Sequence, residues 1–234
     1  MPKAVKHFWK ARMLAARSQK KRGLGDQGNR SGVTAGKNMD GFVSLVRAVI
    51  NDNGIPKARI YTGGRAEVTI PGFYRPTKNW DLLVVSGGQL VAAIEFKSQV
   101  GPSFGNNFNN RVEEALGNAA DLNTAFREGV VGESAKPFLG YFFVLEECPK
   151  STTPVRFASP HFPAMPEFEN TSYAARYEIL CRKVVQEQLY DAAALVLTTR
   201  ESASDGAYRT AGELTSPRRF AATLAGRIAA MAAG

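Results

Sequence analysis

The stretch Lys78-Asn79-Trp80-Asp81-Leu82-Leu83-Val84-Val85-Ser86-Gly87-Gly88-Gln89-Leu90-Val91-Ala92-Ala93-Ile94-Glu95-Phe96-Lys97-Ser98-Gln99 decides how this chain is to be read. Two apolar, β-branched runs flank a Gly-Gly pair, which predicts a β-hairpin. Polar residues interrupt the runs where a buried hairpin has little use for them. Asp81 precedes the first run, and Glu95 and Lys97 sit near the end of the second. Residues two apart on a strand face the same way, so Glu95 and Lys97 share a face. Such charges among apolar neighbours are costly unless they are paired or bind a metal.

An Asp, a turn, then Glu-x-Lys on the next strand is a pattern suited to metal-dependent phosphodiester hydrolysis. Two carboxylates offer hard oxygen ligands to Mg²⁺, with the Phe96 backbone carbonyl as a third. A lysine beside the attacking water can orient it or offset charge on phosphorus. Asp81, Glu95 and Lys97 are therefore the expected catalytic residues, and Asp81, Glu95 and the Phe96 carbonyl the expected metal ligands. The plainer reading of the same residues is a strand-end ion pair. The hairpin also makes a demand. A two-residue Gly87-Gly88 turn pairs 86 with 89 and hence 81 with 94, which puts Asp81 on the face opposite Glu95. Joint metal binding requires an odd shift, from a three-residue loop or a bulge within a strand.

At 234 residues the chain is long enough for one full core. A net charge of +9 and a pI near 9.7 favour a polyanionic partner. No apolar run reaches membrane-spanning length. The basic N-terminus lacks the continuous apolar core of a secretory signal, although its Arg/Lys content suits a transit peptide. Cys148 and Cys181 give neither metal spacing nor a disulfide framework, which points to a reducing cytosol. His7 and His161 lie far apart in sequence, so zinc or Ser-His chemistry is disfavoured.

Residues 1–37 carry ten Lys or Arg against the single acid Asp26, and read as a basic N-terminal arm with a helix over about 3–18. Its expected role is phosphate contact, against that of a solvated tail. Residues 38–234 read as a single domain, with a catalytic core over about 39–146. A helix is predicted over 39–53, with Asp40 as cap or first-turn acid, and strands around 58–62 and 66–70. The second of these carries Glu67. Pro71 to Lys78 form a Pro-bounded aromatic loop, either lying on nucleic acid or packing Phe73 and Tyr74 inward. After Lys97, a run rich in asparagine opens a helix ending near Arg127. Asn and Gln can pair with adenine in the major groove and Arg with guanine, although asparagines also serve as turn formers and caps. Lys78, Gln99, Ser103, Asn106, Asn107, Asn109, Asn110 and Arg111 are the expected DNA contacts. A buried strand over 137–146 follows, then a Pro-rich connection over 148–170 bearing Arg156 and His161. A helix from Ser172 to about Tyr190, a strand over 193–198, a polar loop and a helix opened by Thr215-Ser216-Pro217 complete the chain. The order predicts an α/β sandwich, a central mixed sheet flanked by helices.

The segment from Asn79-Trp80-Asp81 through Glu95-Phe96-Lys97-Ser98-Gln99 to Asn109-Asn110-Arg111-Val112-Glu113-Glu114-Ala115 resembles the XhoI family of type II restriction endonucleases, over roughly residues 78–128. These belong to the PD-(D/E)xK nuclease class. Trp80 stands where the class motif has proline. The resemblance implies a restriction-endonuclease-like core and a type II site-specific deoxyribonuclease using Mg²⁺. It also implies recognition of CTCGAG, with a cut after the first C that leaves a 5′ overhang. A palindromic site implies a homodimer. A cognate adenine methyltransferase, protecting host DNA in a prokaryotic cytoplasm, completes the expected system. Two alternatives keep the same residues: a structure-selective or repair nuclease of this fold, and a catalytically inactive DNA-binding protein.

Overall fold

Alternate residues along each central strand feed two separate cores, one on each side of a six-stranded mixed sheet. The structure is a computed structural model describing residues 1–21, 37–54, 58–132 and 135–232. In chain order its elements are α1 (Pro2–Lys21), α2 (Asp40–Asp52), β1 (Arg59–Tyr61), β2 (Thr69–Pro71), β3 (Thr77–Asn79), β4 (Leu82–Ser86) and β5 (Gln89–Gln99). There follow α3 (Phe104–Arg127), β6 (Phe138–Glu146), α4 (Pro149–Thr152), α5 (Tyr173–Gln186), β7 (Ala192–Thr198), α6 (Ser202–Asp205), β8 (Arg209–Thr210) and α7 (Pro217–Ala232). The sheet runs β1-β4-β5-β6-β7-β8, and β2 with β3 forms a separate two-stranded ribbon. β1, β4 and β5 pair antiparallel, β5, β6 and β7 parallel, and β8 antiparallel at the far edge.

On β6, Phe138, Phe142 and Val144 pack with α1, α2 and α7, while Leu139, Tyr141, Phe143 and Leu145 pack with α3 and α5. Covering both faces explains why β6 and β7 read as unbroken apolar runs. Gly140 is required on β6, because a Cβ there would lie 2.9 Å from the rings of Phe138 and Phe220. The resulting three-layer sandwich, a mixed sheet flanked by helices, is the architecture expected from the sequence.

Several local expectations shift. α1 sinks Val5, Phe8 and Trp9 into the core, and the Trp9 indole N–H donates to Thr198 Oγ1 at 3.2 Å. The start of the basic segment is therefore a wall of the domain and not a detached arm. Residues 22–36, the rest of that expected arm, lie outside the described residues. Residues 65–68 form a turn, so the second predicted strand is confined to β2, and Glu67 is exposed in that turn. α3 begins at Phe104, eight residues before the apolar stripe that revealed it. The polar stretch 200–215 contains α6 and β8. In the Pro-rich connection both Arg156 and His161 are exposed. The Phe73-Tyr74 pair points outward, at 47% and 72% exposure. Their loop is held from below by Asp121, which accepts the Phe73 and Tyr74 backbone N–H groups at 2.8 Å each and Arg75 Nε at 2.7 Å.

Candidate active site

The hairpin resolves its geometric problem with a bulge. Gly87 and Gly88 take φ of 58° and 77°, as a two-residue type I′ turn requires, and Ser86 pairs with Gln89. Val85 then pairs with Leu90, but Val84 pairs with Ala92, leaving Val91 as the extra residue. Val91 and Ala92 consequently both enter the α1–α2–α7 core, whereas Leu90 and Ala93 face α3 and α5. Past the bulge Leu82 opposes Ile94, so continuing that register sets Asp81 against Glu95, on the face covered by α3 and the ribbon. This is the odd shift that a joint site demands.

Glu95 is 3% exposed, and both its oxygens are engaged. Lys97 Nζ donates to Oε1, and Lys78 Nζ donates to Oε2 at 2.9 Å. Burial pushes the Glu95 pKa up, but the two ammoniums outweigh it and hold the carboxyl below its usual range. Lys97 mirrors this. Burial favours its neutral form, but Glu95 and Asp81 prevail and raise its pKa. Asp81 keeps one side open to solvent. Burial of its inner side, and then the negative charge of Glu95, push its pKa up to about 6. Its Oδ2 accepts the Phe96 N–H at 2.7 Å. The N–H and C=O of one strand residue leave by the same edge, so the Phe96 carbonyl also faces the Asp81 side.

Two carboxylates that repel across neighbouring strands, with a carbonyl on the same edge, form a donor set suited to a hard divalent cation. Among the described residues no group of three or more His, Cys, Asp or Glu gathers for a metal, so water and phosphate oxygens would complete the shell. Each Glu95 oxygen accepts from one lysine and keeps a further lone pair, so one oxygen can serve as a ligand while Lys78 still holds the other.

The expected DNA contacts separate into four groups. Lys78 lies opposite Ile70 on the inner face of the ribbon, its ammonium 4.5 Å from the Trp80 ring centroid. It is drawn into the carboxylate cluster by Glu95. Gln99 is 4% exposed, and its amide N–H groups go to the carbonyls of Val100 (3.0 Å) and Ser103 (3.3 Å). Its amide N–H groups brace the turn into α3. Asn107 is half-buried and donates to the Ser103 carbonyl at 2.5 Å. Ser103, Asn106, Asn109 and Asn110 remain exposed, at the start and along the first two turns of α3.

Arg111 instead lines a cleft of about 500 Å³ with Asp81, Phe96 and Lys97. Lys37, Asn38 and Asp40 complete that wall, and Asn38 Nδ2 donates to Ser98 Oγ at 3.4 Å. The sequence places Lys37 in the basic arm and offers Asp40 as a cap or an extra metal ligand, but leaves Asn38 unmarked, because only tertiary packing carries the start of α2 to β5.

Residues 18–210 match the profile of the restriction endonuclease XhoI family. The chain is 52% identical over 181 residues to the type II restriction enzyme XhoI of Xanthomonas vasicola, covering 77% of this chain and 72% of that one. It is 47% identical over 189 residues to the type II restriction enzyme BstVI of Geobacillus stearothermophilus, covering 79% and 84%. With the type II restriction enzyme AbrI of Azospirillum brasilense it shares 52% identity over 159 residues, 68% and 71% of the two chains. No solved structure matches the chain. A family match spanning most of the sequence, borne by relatives of about half-identical sequence, means that this chain belongs to the XhoI family of restriction endonucleases.

Proposed function

We propose that the chain is a type II site-specific deoxyribonuclease that cuts both strands of palindromic duplex DNA. The proposed site is CTCGAG, cut after the first C to leave a 5′ overhang. The observation that carries the reading is the Val91 bulge, which brings Asp81 to the same face as Glu95 and Lys97. An ion-pair role alone would need only Glu95 and Lys97, which share a face without any bulge.

Asp81, Glu95 and the Phe96 carbonyl are the proposed ligands of a divalent ion, with Mg²⁺ the one whose habit they fit. Bound there, Mg²⁺ supplies polarisation of the phosphoryl group and a water of lowered pKa. Lys97 orients the attacking water and offsets negative charge growing on the phosphate oxygens. Lys78 keeps Glu95 ionised in a buried position. Asn106, Asn109 and Asn110 are the proposed base-edge readers, with Ser103 beside them. An asparagine paired to adenine through N6 would be blocked by N6-methylation, as a partner adenine methyltransferase in the same cytoplasm requires. Two copies related by a two-fold axis would match the symmetry of the palindrome, one centre to each strand.

The test is digestion of unmethylated plasmid bearing one CTCGAG site, with Mg²⁺, followed by sequencing of the ends. A single linear product with ends at that site is expected. A smear, or intact plasmid under all divalent ions, would overturn the reading.

A further inference from the structure

Arg111 is expected from sequence to reach a guanine edge, but the structure gives it a different position. Its side chain is only 18% exposed and lies in the cleft shared by Asp81, Phe96 and Lys97. A base reader must project beyond its surface to reach the groove, and Asn106, Asn109 and Asn110 are exposed as that role requires. Arg111 instead forms part of the wall at which a phosphate would arrive.

Its hydrogen bonding is incomplete. Nη1 donates to Glu114 Oε2, one turn further along α3, while Nε is buried with no acceptor. A buried donor without a partner is uncommon, and it marks a place where a missing acceptor fits. Glu114 is more exposed than Arg111, at 44% for its side chain, so the pair opens to solvent on the glutamate side. The guanidinium presents parallel N–H groups in a rigid plane, a fork that matches two phosphate oxygens. Nε, the nitrogen left unpaired, belongs to one edge of that fork.

We propose that Arg111 is the phosphate clamp of the cleavage centre, holding the scissile phosphate against Lys97 while Glu114 serves as its resting partner. This rests on the nuclease reading above and deepens it. It reassigns Arg111 from choosing the sequence to presenting the bond that is cut. DNA binding would replace the Glu114 contact with phosphate oxygens and give Nε its acceptor. The clamp transfers no proton and forms no bond. It fixes the phosphorus in line with the water oriented by Lys97 and stabilises charge on the oxygens during attack.

The experiment compares the full-length protein with Arg111→Ala and Arg111→Lys, each checked for folding by thermal melting. Single-turnover cleavage of a cognate duplex is measured with Mg²⁺. The affinity ratio of cognate to single-mismatch duplexes is measured with Ca²⁺ replacing Mg²⁺. Arg111→Ala is expected to slow cleavage of bound duplex by about 100-fold or more, the usual effect of losing one transition-state donor. Its discrimination ratio should stay within about threefold of the unaltered protein. Arg111→Lys, which keeps charge but loses the fork, should recover only part of the rate. Discrimination falling by about 10- to 100-fold, with near-normal cleavage of bound duplex, would make Arg111 a base reader and overturn the proposal. Normal values for both would reduce it to a surface partner of Glu114 and also overturn it. If the unaltered protein fails to cut, the nuclease reading falls and takes the clamp with it. If it cuts and Arg111→Ala cuts equally fast, the clamp alone falls.

Discussion

Glu95 joins two requirements that conflict in most buried carboxylates. It must stay ionised among apolar neighbours, and in the proposed centre it must remain able to exchange partners. Lys78 and Lys97 meet the first by occupying one oxygen each, and neither contact is a covalent or backbone constraint. Glu95→Gln is predicted to abolish cleavage and to lower stability by about 3 kcal/mol, because two largely buried ammoniums lose their counter-charge. Chemical denaturation and a cleavage assay check the two halves separately. Lys97→Ala should differ: cleavage is lost, while duplex binding survives because Lys78 still neutralises Glu95. The grouping of Asp81, Glu95 and Lys97 in one place was legible from residue types and spacing. The role of Lys78 was not, because nothing in the linear sequence shows that β3 turns position 78 inward, across from Ile70.

At the scale of elements, the β4–β5 hairpin makes the site possible and the Asp121 clamp fixes the loop beside it. Sequence logic demanded an extra residue somewhere in the hairpin but did not say where. Val91 resembles its neighbours, and only the pairing of both strands with their surroundings selects it. Deleting Val91 makes Leu90 and Ala92 consecutive, so the plain register of the two-residue turn then sets Asp81 against Glu95 without a bulge. The expected outcome is a folded protein, less stable for the lost core valine, that still cleaves; loss of cleavage in a variant that retains its circular dichroism spectrum would contradict the register argument. Asp121 offers a pH test. Burial pushes its pKa up, but the Arg75, Tyr74 and Phe73 hydrogen bonds prevail and hold it below the usual carboxylate range. A group whose folded pKa is depressed contributes stability above its unfolded pKa of about 3.9 and loses it as pH falls through the folded value. The 72–75 loop is therefore predicted to loosen first in acid, and Asp121→Ala to produce the same loosening at neutral pH. Hydrogen exchange of the Phe73 and Tyr74 amides would report both. Gly72 permits this arrangement, since a Cβ there would sit 2.6 Å from Asp121 Oδ2.

At the scale of the molecule, basic charge and core packing are interwoven at the N-terminus. α1 contributes lysines and arginines outward and Val5, Phe8 and Trp9 inward, where Phe8 meets Phe42 edge-on at 6.3 Å. Helical spacing revealed the helix. Its burial could not be read, because its partners come from α2, the sheet and α7, remote in sequence. Phe8→Ala is predicted to cost about 3–5 kcal/mol, the range for emptying a buried aromatic position, and to shift the whole unfolding transition. A freely solvated arm would show almost no change. The layered fold was legible because the helices carry an apolar stripe and the central strands are short unbroken apolar runs. The cleft was only half legible, because it gathers α2, β5 and α3 from three separate stretches.

The central claim is that Asp81, Glu95 and Lys97 act as one phosphodiester-cleaving centre. Its most direct test is single-turnover cleavage of an unmethylated CTCGAG duplex with Mg²⁺ by the unaltered protein and by folded Asp81→Ala, Glu95→Gln and Lys97→Ala. The account predicts scission of one bond in each strand by the unaltered protein and none by the three variants. An intact duplex with the unaltered protein, or undiminished cutting by any variant, would contradict it.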